Sequence, residues 1–141
     1  MTHLVTVRHN FETAHRLPHL EGKCQSLHGH SWWAEVTVSG PELAAGVLVE
    51  FGPFKKGLRA WIDRNLDHGT MLGPDDPLLP VLRAHDCKVY VVGGWPTVEN
   101  VAGLIAVQSQ RILGDLVRAP GCAVARVAVR ETHVNEAAWQ A

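Results

Sequence analysis

From Leu4 to His15 the odd positions read Val5, Val7, His9, Phe11, Thr13 and His15. This alternation predicts a half-buried strand that ends on a histidine. From His28 to Val38 the even positions are His28, His30, Trp32, Ala34, Val36 and Val38, while Ser31, Glu35 and Thr37 take the other parity. Both histidines of this second strand therefore lie on its apolar face. The intervening "RLPHLEGKCQS", residues 16–26, holds Pro18 and Gly22 and shows no period, so it reads as a loop, and Cys24 sits in it.

After the turn "SGPELAAG" and the short apolar run "VLVEF", Pro53 suits the first position of a helix. Phe54, Leu58, Ile62 and Leu66 then recur every four residues and predict a helix over 53–66 with one buried stripe. The stripe ends at Asp67-His68-Gly69. In the segment 73–86, Pro74, Pro77 and Pro80 disfavour a long regular element. "CKVYVV" predicts a third strand, and Gly93-Gly94 breaks it. Thr97 is a good N-cap, with Glu99 in the first turn, for a helix from about Val98 to Val117 that Pro120-Gly121 stops. The last strand, "CAVARVAVRET", carries Ala125, Val127 and Val129 on one face and then Glu131. This order predicts a single α+β domain over residues 1–141, an antiparallel four-stranded sheet with two helices packed on one face.

Composition narrows the functions. Net charge is -1 over 141 residues, so no overall positive field favours nucleic acid or an anionic membrane surface. No apolar run approaches the ~18 residues of a membrane span, and the first residues lack a signal peptide's apolar segment, so a cytoplasmic location is expected. Cys24, Cys87 and Cys122 form no CxxC pair, which argues against a disulfide framework. Histidine is frequent, at nine residues.

If the first two strands form an antiparallel hairpin, His15 lies opposite the His28/His30 end. Neighbouring strands are about 4.8 Å apart and residues two apart share a face, so three imidazoles there can converge on one ion. Three histidines without a fourth protein ligand leave an open position, the pattern of a catalytic zinc site. Cys24 is open to three readings: a fourth ligand, a small buried hydrophobe or a reactive thiol. Asp67-His68 reads as a carboxylate orienting an imidazole base, or as a helix end facing solvent. Glu131 is a candidate acceptor for a ligand's N–H groups, or the first polar residue beyond a strand.

"FETAHRLP", "CQSLHGHSW", "LVEFGPFK", "NLDHGTML", "PTVENVA" and "VRET" occur in one order along most of the chain. In these segments the chain resembles the 6-pyruvoyl-tetrahydropterin synthase superfamily, and within it the bacterial 6-carboxy-tetrahydropterin synthases. The resemblance implies the tunnelling fold and a zinc ion bound by His15, His28 and His30. It makes Cys24 the catalytic cysteine, Asp67 and His68 the acid-base pair, and Glu131 the carboxylate that anchors a pterin ring, with Thr97 and Glu99 as further substrate-binding candidates. The three-residue gap in "CQSLH" favours the carboxy-forming branch. The implied reaction takes 7,8-dihydroneopterin triphosphate to 6-carboxy-5,6,7,8-tetrahydropterin, with loss of acetaldehyde and triphosphate, toward deazapurines of the queuosine type.

The implied assembly is a homo-hexamer of two trimers with sites at subunit interfaces, so that Asp67-His68 serves a zinc held by another subunit. Arg16 and Lys23 are candidates for the triphosphate. Three positions depart from the family pattern: Glu50 in place of Asp, Gly73 in place of Asn and Trp95 in place of Asn. The segment from Gly73 to Asp86 is also longer than in compact members. Competing readings are a pyruvoyl-forming synthase and a zinc-binding module without catalysis.

Overall fold

The computed structural model describes residues 1–141. Its spine is a long antiparallel hairpin of β1 (His3–His15) and β2 (His28–Gly40), paired from His3 opposite Gly40 to His15 opposite His28. The alternation read from the sequence holds. Val7, Phe11, Trp32, Val36 and Val38 are buried, whereas Arg8, Glu12 and Ser31 are exposed on the other face. Trp32 stacks on Phe11 at 6.0 Å, and its indole N–H donates to the Thr13 carbonyl at 3.0 Å. That buried bond satisfies the one polar atom of the largest core side chain.

The sheet is larger and more mixed than four antiparallel strands. Four shorter strands join the hairpin: β3 (Gly69–Leu72), β4 (Val89–Val91), β5 (Ala123–Thr132) and β6 (Asn135–Gln140). The order is β4-β3-β1-β2-β5-β6. β3 runs parallel to β1 and β4 parallel to β3, while β5 and β6 are added antiparallel on the far side. A parallel neighbour needs a crossover connection. The proline-rich segment after β3 is that crossover, and it contains a third helix, α2 (Leu78–Ala84), which follows α1 (Phe51–Asn65) and precedes α3 (Val98–Gly114).

Prolines do not prevent α2, because Pro77 is its N-cap and Pro80 lies in its first turn, where the missing N–H breaks no helical bond. α1 begins two residues before Pro53, which stands in its first turn for the same reason. α3 stops at Gly114, short of Val117, with the Asp115 N–H closing its last turn on the Ile112 and Leu113 carbonyls. Phe54, Leu58 and Ile62 of α1 share a core with Val101, Ile105 and Leu113 of α3 and with the apolar face of the hairpin. No helix is long and apolar enough to cross a membrane.

Candidate metal centre

His15 faces His28 across the ladder, and His30 faces Thr13. Cross-strand partners share a face, so the register alone brings all three rings to the buried side of the hairpin. Ring centroids lie 4.7 Å apart for His15 and His28, 4.8 Å for His28 and His30, and 5.3 Å for His15 and His30. One ring nitrogen from each falls within 4.8 Å of the others, the single group of three or more His, Cys, Asp or Glu residues in the chain placed to hold a metal.

Backbone carbonyls set the tautomers. His15 Nδ1 lies 2.8 Å from the Pro96 carbonyl and His28 Nδ1 lies 2.6 Å from the Ser26 carbonyl. A carbonyl only accepts, so each Nδ1 carries the proton and each Nε2 keeps its lone pair. The Nε2 atoms of His15 and His30 are buried without any partner. Burial pushes the His15 pKa below 6.5, with the neighbouring histidines adding to the effect against the Pro96 carbonyl and Glu131. His30 is lowered by burial as well, against Glu131. Buried, neutral imidazoles with unpartnered lone pairs are costly unless something accepts those lone pairs. Zinc fits this donor set: three imidazole nitrogens, two of the rings oriented from behind by carbonyls, with no fourth protein ligand in the group. The Glu131 Oε2 atom stands 3.5 Å from His15 Nε2 and 3.8 Å from His30 Nε2, so its carboxylate faces the same point.

Cys24 does not join the cluster. It sits exposed on a short 3-10 turn, Lys23–Gln25, between the two strands of the hairpin, where its carbonyl accepts from the Leu17 amide at 2.7 Å. Being exposed, it is not the small buried hydrophobe that the sequence left open. Asp67 and His68 form a bonded pair, His68 Nδ1 to Asp67 Oδ2 at 2.8 Å. The other Asp67 oxygen accepts the Glu12 amide at 2.8 Å, and the His68 amide donates to the Glu12 carbonyl at 2.6 Å. Burial would raise the Asp67 pKa, but the Glu12 amide and His68 outweigh it and hold the carboxyl below its ordinary value. The pair is thus fixed to β1 three residues before His15, with the His68 side chain 78% exposed. Thr97 caps α3 by accepting the Asn100 amide at 3.1 Å, and Glu99 stands exposed in the first turn.

Arg16 is not free to bind an anion. It grips Asp76 through two bonds of 2.7 and 2.6 Å, and the Asp76 side chain is fully buried. Asp76 also accepts the Leu78 amide at 2.9 Å, so this pair ties the proline-rich crossover to the residue next to His15. Sequence reasoning missed Asp76, the Pro96 and Ser26 carbonyls, and a stack of His19 on Trp95. The carbonyls have no sequence signal, since every residue carries one. An acidic residue among prolines was the available hint for Asp76.

A sequence profile of 6-pyruvoyl tetrahydropterin synthases matches residues 4–141. The chain belongs to the 6-pyruvoyl tetrahydropterin synthase family. Among relatives of this family member, the 6-carboxy-5,6,7,8-tetrahydropterin synthase of Rickettsia typhi is 34% identical over 100 residues, covering 69% of this chain and 72% of that protein. The protein of the same name from Synechocystis is 36% identical over 100 residues, covering 65% and 78%. An uncharacterised protein from Wolinella succinogenes shares the fold at a TM-score of 0.83 and 21% identity, over 99% of this chain and 98% of that one. Caenorhabditis elegans 6-pyruvoyl tetrahydropterin synthase does so at 0.71 and 21%, over 100% and 96%. The six-stranded mixed sheet with its three helices is therefore a pterin synthase fold, and the histidine cluster lies at the loop end of its central hairpin.

Proposed function

We propose that this protein is a zinc-dependent carbon-carbon lyase that converts 7,8-dihydroneopterin triphosphate to 6-carboxy-5,6,7,8-tetrahydropterin, releasing acetaldehyde and triphosphate, in the biosynthesis of queuosine-type deazapurines in the cytoplasm. The observation that carries this reading is the set of three convergent imidazoles, two of which, His15 and His30, bury an Nε2 lone pair with no protein partner. Relatives at about a third identity named as 6-carboxy-tetrahydropterin synthases support the product, as does the short Cys24-to-His28 spacing.

His15, His28 and His30 hold the metal. Bound zinc supplies a Lewis acid toward the oxygens of the substrate side chain, which makes the adjacent C–H more acidic. Cys24, in the loop that joins His15 to His28, takes or returns a proton on one side of that carbon as thiolate or thiol. His68 serves the other side. Its Nδ1–H is held by Asp67, which leaves Nε2 free to accept a proton and stabilises the imidazolium that results. Glu131 accepts N–H groups of the pterin ring while facing the cluster, and Thr97 and Glu99 contribute to the substrate site from the start of α3. An open groove of about 360 Å³ bordered by Glu12, His30, Ser31 and Gly69 gives solvent access to the histidine end of the hairpin. The His68 ring is largely exposed, which leaves it accessible to a second subunit, and in a homo-hexamer of two trimers it acts on the metal site of a neighbour.

The test is mass spectrometry of the products formed when metal-quantified protein is incubated with 7,8-dihydroneopterin triphosphate. A 6-carboxy-tetrahydropterin mass together with acetaldehyde is the expected result. A product retaining all side-chain carbons would move the protein to the pyruvoyl-forming reaction, and no turnover by zinc-loaded protein would leave a metal-binding module.

A further inference from the structure

Trp95 is one of four residues other than glycine with positive φ, at 75°, directly after Gly94 at 74°. Such a backbone is costly for a bulky residue and persists where its surroundings over-determine it. They do so here from three directions. The Asn100 side-chain amide donates to the Gly94 carbonyl and, at 3.0 Å, to the Trp95 carbonyl. The indole lies against Gly73 so closely that a Cβ there would come within 2.5 Å of Trp95 Cε3. His19, from the loop that carries Cys24, stacks on the indole at 4.6 Å and 16°. The next residue, Pro96, supplies the carbonyl that orients His15.

Gly73 and Trp95 thus meet in space, and the small residue makes room for the large one. We infer that Trp95 is a positioning residue: it docks the cysteine-bearing loop through His19 while fixing the turn whose Pro96 carbonyl orients His15, so that thiol loop and metal ligand are held in one register. This rests on the reading of His15 as a metal ligand and Cys24 as the thiol that works beside it. Neither Trp95 nor His19 touches the reacting atoms.

Two readouts on the full-length protein test the coupling, neither of them activity. Metal-free protein is titrated with Co2+ against a chromophoric chelator, and tryptic cleavage after Lys23 in the native protein reports whether the loop is docked. Trp95→Ala is expected to weaken Co2+ binding about tenfold, the scale at which losing a residue that orients a ligand acts, and to speed cleavage after Lys23 several-fold. Trp95→Phe keeps a ring for the stack and should restore both. Gly73→Ala drives a methyl into the indole and should reproduce Trp95→Ala, whereas adding Gly73→Ala to Trp95→Ala should cost nothing more, since the obstructing ring is gone. If Trp95→Ala does not fold, His19→Ala against His19→Phe tests the loop half, with faster cleavage in the first variant only.

The proposal is overturned if Trp95→Ala changes only one of the two readouts, if the Gly73 and Trp95 substitutions act additively, or if His19→Phe behaves like His19→Ala. Wild-type protein that takes up no Co2+ would overturn the metal assignment itself, an outcome visible before any substitution is made.

Discussion

At the scale of single residues, the histidine cluster follows from parity. His15 has the parity of Phe11 and Val7, and His28 and His30 have the parity of Trp32 and Val36. Once the strands pair, the three rings cannot avoid one another. That much was legible from the chain alone, whereas the two carbonyls that choose the tautomers were not, because backbone groups carry no residue identity. Removing a ligand and removing the thiol should separate cleanly. His28→Ala is expected to lose zinc and turnover together, and Cys24→Ala to keep zinc and lose turnover, as read by metal quantification and product mass spectrometry. Full zinc occupancy in His28→Ala would defeat the ligand assignment. His9 offers a test of burial away from the metal. Burial first, then Arg59 and Lys55, lowers its pKa below 6.5, and its Nε2 has no partner. The unfolded chain therefore binds a proton at pH values where folded His9 does not, so stability falls as pH drops below the unfolded value. His9→Leu should make the loss in urea midpoint between about pH 7 and about pH 5.5 shallower than in wild type, and an unchanged slope would refute it.

At the scale of elements, long alternating or helical patterns were readable, as was the apolar run that forms β4, whereas β3, α2 and β6 were not. β1, β2, β5, α1 and α3 each repeat their period several times, so residues such as Trp32, Ile62 and Ile105 declare a face. β3 has four residues, and β6 places Asn135 and Glu136 in solvent with Trp139 as its one large apolar side chain, so neither develops a pattern. Alternation also says nothing about a strand's partner, which is why the parallel joins of β3 to β1 and β4 to β3 were invisible. The device that holds the crossover in place is the Arg16–Asp76 pair. Removing one partner of a buried ion pair leaves an uncompensated charge. Asp76→Ala should therefore lower stability by about 3 kcal/mol in urea titration, with zinc affinity falling too because Arg16 adjoins His15. Thr97→Ala should cost about 1 kcal/mol through loss of the α3 cap. Thr97→Ser, which keeps the capping oxygen, should restore that stability, and any activity it fails to restore measures a substrate contact of the threonine beyond its cap.

At the scale of the whole molecule, the decisive feature is the exposure of the His68 ring. The histidine cluster lies on the buried face of the hairpin, whereas Asp67 and His68 are anchored to the Glu12 backbone, whose side chain belongs to the opposite face, with the His68 ring in solvent. A general base must come within hydrogen-bond reach of the proton it moves. A chain whose base is exposed meets this requirement if a second copy presents its metal site to that base. Head-to-tail association in a closed ring gives every subunit the same arrangement, each lending His68 to a neighbour. The consequence is complementation. His28→Ala and His68→Ala should each be inactive when assembled alone. In oligomers refolded from an equal mixture, about a quarter of the sites combine an intact metal-binding subunit with an intact His68 donor, and activity should return to about that fraction of wild type. If His68 serves its own chain's metal, no mixed oligomer contains a complete site, and the mixture should stay as inactive as its parents. Unmixed controls carried through the same refolding show whether any activity comes from the procedure, so the recovered fraction directly reports which subunit supplies the base.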